Sequence, residues 1–252
     1  MTRVHGINPV LEALKAGRVS SIALGARNDP RVQQLLQLAE RAGVPVTRVD
    51  AADLEALARG GVHQGVVAEV RASREYSVAD LVRGSKQPPL LVVLDGIEDP
   101  HNVGAIVRSV DACGGGGVIR QTRRAAALDS VAVKASAGAL MHVPVADVVN
   151  VARAIEELKE LGVWTVGLAG DAPQAYDTVD LTLPTAIVLG AEGTGLRRLV
   201  RERCDLVASI PMGGHVESLN VSVAAGVMLF EAARQRRVQH SGPENRSRPA
   251  GH

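Results

Sequence analysis

Aromatic side chains are the scarcest feature of this chain, with one Trp, two Tyr and one Phe among 252 residues. That scarcity excludes a platform of stacked rings for single-stranded nucleic acid, and it leaves Val, Leu, Ile and Ala to fill the core. Cysteine is nearly as rare. Cys113 and Cys204 are too few for a disulfide framework and lack metal-ligand spacing, which suits a reduced, cytoplasmic protein. No run reaches the roughly 18 apolar residues of a membrane span, and Met1-Thr2-Arg3-Val4-His5-Gly6 leads into no signal-peptide core. Net charge is low as well, at +1, so any pull on nucleic acid must come from local clusters. Arg120, Arg123, Arg124 and Lys134 form one such group, and Arg197, Arg198, Arg201 and Arg203 another. By itself a charge run reads more readily as a solvated helix face.

What is present is a repeated alternation of strand and helix. Residues 1–72 read as a small α/β unit, with helices opening at Asn8-Pro9, at Asp29-Pro30 and at Asp50 or Asp53, and strands at Ser21–Leu24, Val44–Val46 and Gly65–Val70. Residues 73–88 carry Gly84-Ser85-Lys86-Gln87-Pro88-Pro89 and read as a linker, with a short helix over Tyr76–Arg83. From Leu90 the apolar runs Leu90–Leu94, Gly117–Ile119, Val163–Leu168, Thr185–Leu189 and Leu206–Ile210 are strands covered on both faces. Helices are expected over Asn102–Cys113, Asp129–Leu140, Val151–Leu161 and Leu196–Glu202, then in a last helix capped by Ser218, with Leu219, Val223, Val227 and Phe230 at helical spacing. Such alternation gives a parallel sheet between helices. Residues 238–252 are polar and aperiodic, the composition of a disordered tail.

Three segments place glycine or polar residues directly after an apolar strand, where open parallel sheets bind ligands. They are Asp95–Ala105 with Arg108 beyond it, Leu189–Gly195, and Ile210–Ser222. Taken singly they are weak. Asn102 suits a helix cap as well as a ligand contact, and Leu189–Gly195 is neither a dinucleotide fingerprint nor a P-loop. His101 and His215 have no partner at metal spacing, so no metal is expected. No nucleophile elbow is present.

Asp95-Gly96-Ile97-Glu98-Asp99-Pro100-His101-Asn102-Val103-Gly104-Ala105-Ile106-Val107-Arg108-Ser109 resembles the first motif of the SpoU (TrmH) class of RNA ribose 2'-O-methyltransferases. Val188–Gly193 resembles the second motif, and Ile210-Pro211-Met212 with Ser218–Ser222 the third. Lys134–Ala139 matches a further stretch common in the class, and His5–Val10 is similar to the substrate-binding domain of the RlmB branch, which acts on a guanosine of bacterial 23S rRNA. The resemblance spans about residues 3–237.

It implies an α/β fold in which a small N-terminal substrate-binding domain precedes a parallel-sheet catalytic domain (89–237) ending in a deep trefoil knot. It also implies a homodimer and S-adenosyl-L-methionine as donor. By motif position Gly190, Ile210, Leu219, Met212 and Ser218 would hold the donor. Arg108, Asn102, Glu192, Asn220 and Ser218 would serve catalysis, and Arg108, Arg123, Arg124 and Lys134 would meet RNA. Guanidinium groups scarcely deprotonate, so a phosphate and oxyanion clamp suits Arg108 better than a general base. A tRNA or antibiotic-resistance rRNA methyltransferase, or a non-catalytic ribosome-assembly factor, are the competing readings.

Overall fold

A computed structural model describes residues 2–70, 75–86, 88–122 and 130–240. The chain gathers into two compact units. One comprises Met1–Glu75, Asp99–Arg108 and Ala126–Val143, the other Tyr76–Glu98, Ser109–Ala125 and Pro144–His252.

The N-terminal elements are β1 (Thr2–His5), α1 (Ile7–Lys15), β2 (Val19–Leu24), α2 (Pro30–Arg41), β3 (Val46–Arg48), α3 (Ala51–Ala58) and β4 (Val66–Val70). The strands form a four-stranded sheet in the order β1-β4-β2-β3, with β2–β3 parallel and the other pairs antiparallel. Asp29 caps α2 through the Arg31 and Val32 amides, and Asp50 caps α3 through Asp53 N. Asn8 is not a cap. The cap of α1 is Gly6, at φ 96, and Gln64 Oε1 accepts from Ile7 N. Pro9 is tolerated two residues inside the helix because first-turn amides lack intrahelical acceptors.

The chain continues through α4 (Val78–Gly84), β5 (Leu90–Asp95), α5 (Pro100–Cys113), β6 (Gly117–Gln121), α6 (Ser130–Ala135), β7 (Val145–Val148), α7 (Val151–Glu160), β8 (Trp164–Leu168), β9 (Gln174–Ala175), β10 (Thr185–Gly190), α8 (Arg198–Arg203), β11 (Leu206–Ser209) and α9 (Val221–His240). A seven-stranded sheet runs β7-β6-β5-β10-β8-β11-β9, and every pairing in it is parallel. Leu91, Val93, Ile119, Ala186 and Val188 on one face pack with Leu81, Ile155, Leu158 and Val200 from α4, α7 and α8. Strand alternation sends Val92 and Ile187 to the opposite face, where α9 lies along β10. The far end of α9 is fastened by Arg236, whose guanidinium donates to the carbonyls of Pro88, Pro89, Leu181 and Leu183 at 2.7–3.0 Å.

Four expectations need correction. Residues 76–84 are not free linker, because Val78, Leu81 and Val82 are buried in the second unit's core. The helix there is fixed by a reciprocal box in which Ser77 Oγ accepts from Asp80 N and Asp80 accepts from Ser77 N. Ser77→Ala is therefore expected to cost about 1 kcal/mol of stability in urea unfolding. The expected helix over 129–140 breaks after Ala135: Ala137 (φ 51) and Gly138 (φ 91) turn left-handed, and a 3-10 turn follows at Ala139–Met141. Gly138 lies over the Glu12 side chain, where a Cβ would collide. Of the tail expected over 238–252, residues 238–240 belong instead to α9, which continues through His240 with no helix breaker in Arg236–Gln239, and the rest lies outside the described residues. Finally, α9 buries Val221, Ala224, Ala225, Met228, Leu229 and Ala232, while Val223 and Phe230 stay 51% and 49% exposed.

Candidate functional site

Parallel order places the carboxyl ends of β5, β10, β8 and β11 along one edge of the second unit. Gly190 pairs with Asp95 at the ends of β10 and β5, and Gly96 approaches Ala191, so the first two sequence segments meet there. A cavity of about 640 Å³ opens at this edge, lined by Leu189–Leu196 together with Ile210, Met212 and Glu217–Val221. The second and third segments therefore converge. Gly190 is dictated by packing: an added Cβ would lie closer than 3.0 Å to the Gly195 carbonyl and Leu196 N, both backbone. The turn is closed by Gly195 N donating to Ala191 O at 2.8 Å, with Gly193 (φ 78) and Gly195 (φ 67) in the left-handed region that glycine tolerates.

The rim is polar. Asn220 Nδ2 donates to Glu192 Oε1 at 2.7 Å, joining two expected site residues 28 positions apart. The other end of the same amide accepts from Ser222 N at 2.9 Å and Ser222 Oγ at 2.5 Å. Asn220 thus occupies the cap of α9, and Ala224 N donates to its carbonyl. Ser218, expected there, instead lies in the exposed loop before the helix and still lines the cavity. An amide, with donors at one end and an acceptor at the other, can bridge to Glu192 while capping; a serine hydroxyl cannot reach both.

Sequence reasoning passed over two pairs at this edge. Asp171, after β8, accepts from Arg201 Nη1 through both oxygens at 2.9 Å, and both residues line the cavity. Hydrogen bonding from Arg201 holds the Asp171 carboxyl below its ordinary range. Asp95, buried, accepts from the backbone amide and the guanidinium of Arg197. Burial pushes the Cys204 thiol up to about 12, so it is no nucleophile.

The remaining expected residues belong to the other unit or lie outside the described residues. Asn102 is buried in the first turn of α5, whose leading amide, His101 N, donates to Asp99 rather than to Asn102. Arg108 is exposed on the same helix. Lys134 is exposed on α6, and that helix packs so tightly on α5 that a Cβ on Gly104 would meet Ala135, Ala132 O and Ser136 N within 2.9 Å. Arg123 and Arg124 are outside the described residues. Ser109 and Gly226 of α9 both belong to the second unit, where a Cβ on Gly226 would lie 3.9 Å from Ser109 Oγ. Among the described residues no group of three or more His, Cys, Asp or Glu could hold a metal ion, and no helix is long and apolar enough to cross a membrane.

A cavity of this size, floored by backbone and rimmed by a few fixed polar groups, suits one small-molecule ligand. Residues 89–230 match the SpoU rRNA Methylase family, and residues 3–76 match the RNA 2'-O ribose methyltransferase substrate-binding domain. The chain is similar to the 23S rRNA (guanosine-2'-O-)-methyltransferase RlmB of Pseudomonas putida, 44% identical over 95% of this chain and 98% of that one. It is also similar to an uncharacterised tRNA/rRNA methyltransferase of Mycolicibacterium vanbaalenii, 47% identical over 93% of this chain and 76% of the relative. Among solved structures, the SpoU methyltransferase AviRb of Streptomyces viridochromogenes, in complex with AdoMet, superposes with a TM-score of 0.79 at 27% identity, over 94% of this chain and 90% of that one.

Proposed function

This chain belongs to the SpoU rRNA methylase family, and we propose that it methylates the ribose 2'-hydroxyl of a guanosine in 23S rRNA, with S-adenosylmethionine as donor. The observation that carries this reading is the cavity at the β10 edge, where Gly190 admits no side chain and Glu192 is bonded to Asn220. The near-full-length likeness to a 23S rRNA enzyme supports the substrate. On this reading residues 1–72 bind RNA and residues 89–237 carry the chemistry, with the trefoil knot and cytoplasmic location that the family likeness suggests.

The donor supplies an electrophilic sulfonium methyl. The chain's own part is to seat it and align the attacking oxygen. Gly190, Ile210 and Leu219 would hold the donor, largely through backbone groups, with Met212 and Ser218 nearby, and Glu192 would fix Asn220 as the orienting group. Arg108 clamps an RNA phosphate and stabilises the negative charge developing on the 2'-oxygen as its proton passes to solvent, while Asn102 orients the ribose and the arginine. Arg123, Arg124 and Lys134 add phosphate contacts. The exposed Val223 and Phe230 on α9 suit a second copy of the chain, making the active form a homodimer.

Incubation with labelled S-adenosylmethionine and separate 23S rRNA and tRNA substrates, followed by nucleoside mapping, tests the reading. The expected result is label in 2'-O-methylguanosine from 23S rRNA alone. Label in tRNA, in a base, or in nothing overturns it.

A further inference from the structure

The loop that forms the cavity floor leaves β10 at Gly190 and enters α8 at Arg198. In the sheet β10 lies between β5 and β8. Arg197 and Arg201, one helical turn apart, tie the start of α8 to each flanking strand: Arg197 reaches Asp95 at the end of β5, and Arg201 reaches Asp171 after β8. The two straps differ in kind. Asp171 is solvent-exposed, so its pairing is screened. The Asp95 side chain is fully buried and accepts from Arg197 N at 2.9 Å and Arg197 Nε at 2.6 Å, with Arg197 Nη2 also paired to it. Arg197 Nη2 further donates to Gln121 Oε1 at 2.8 Å, at the end of β6. A buried carboxylate satisfied by a backbone amide and a guanidinium fixes its partner, because displacing Arg197 strands the Asp95 charge away from water, whereas the Arg197 side chain is itself half exposed.

We infer that Asp95 and Arg197 are positioning residues for the donor: their buried pair sets the Gly190–Leu196 backbone against which the donor binds. The pair spans 102 residues of sequence and holds the loop at the point where it must turn back into α8. Neither side chain lines the cavity, so the effect on binding passes through the loop. The inference rests on the reading of the cavity as the donor site.

Asp95→Asn keeps the shape and an acceptor while removing the charge. Donor affinity by calorimetry is expected to fall roughly tenfold to a hundredfold, as for a displaced binding loop. The KM for the donor should rise in parallel, with kcat at saturating donor and the KM for RNA near wild type. Arg197→Met, which retains the backbone amide, should give a loss of the same kind, and keeps the test available if Asp95→Asn does not fold. Glu202→Gln, in the exposed Arg198–Glu202 pair on the same helix, is the control and should change neither constant. A merely structural role lowers the melting temperature but leaves donor affinity of the folded protein intact. Folded variants at both positions that bind donor within twofold of wild type therefore overturn the inference alone. A wild-type chain that takes up no S-adenosylmethionine removes the reading of the cavity and the inference with it.

Discussion

Gly190→Ala is expected to lose donor binding by about a hundredfold or more, the scale at which small displacements of a binding surface act. The new methyl would lie closer than 3.0 Å to the carbonyl of Gly195 and the amide of Leu196. Those atoms are backbone, and they cannot swing aside as a side chain would. The 191–196 turn is also restrained, by Gly195 N on Ala191 O and by Arg197 N on Asp95. Relief must come from shifting the whole turn, which is the cavity floor. The overpacking should also lower stability by about 1–3 kcal/mol, so affinity must be read below the variant's melting temperature. Gly214→Ala supplies the contrast: nothing lies within 4 Å of an added Cβ there. Calorimetry giving Gly190→Ala an affinity within threefold of wild type would remove the steric account of this floor.

That contrast shows how far the sequence could be read. The three strand-end segments were legible because glycine and polar residues directly after an apolar run have few other uses in a parallel sheet. Which glycine is sterically required was not. Gly213 and Gly214, suggestive in sequence, have open space around them, whereas Gly190 is enclosed by its own returning loop. The face of α9 was misjudged for a related reason. Val223 and Phe230 are the more hydrophobic residues, yet close approach of a helix to β10 selects Ala225 and Ala232 for the inside. Ala137 at φ 51 was invisible because alanine favours helix in isolation, and the break is completed by Gly138 at φ 91, which lies over Glu12. No spacing rule links Asp95 to Arg197 across 102 residues. The sequence pointed to Ser218 as the cap of α9, and the bond between Asn220 and the Glu192 carboxylate across 28 residues, which places the cap at Asn220, has no local signature.

Arg108→Ala is expected to reduce methyl transfer by at least about 10²–10³-fold, the usual scale for removing a donor aimed at developing negative charge. Donor affinity should hardly change, because Arg108 is not part of the cavity lining. The side chain is exposed on α5. On the proposed reading the cation serves the RNA phosphate and the ribose oxygen rather than the donor. Arg108→Lys separates the clamp from a base. It keeps the charge but loses the two-pronged fork, so a clamp predicts partial activity with a weakened KM for RNA. A base role predicts instead a new ionisation in the pH profile of kcat, because an ammonium loses its proton more readily than a guanidinium. Single-turnover rates for both variants, measured beside donor titrations, decide the matter. Loss of donor binding in Arg108→Ala, in step with the loss of rate, would take the catalytic role away from this residue and return it to the binding site.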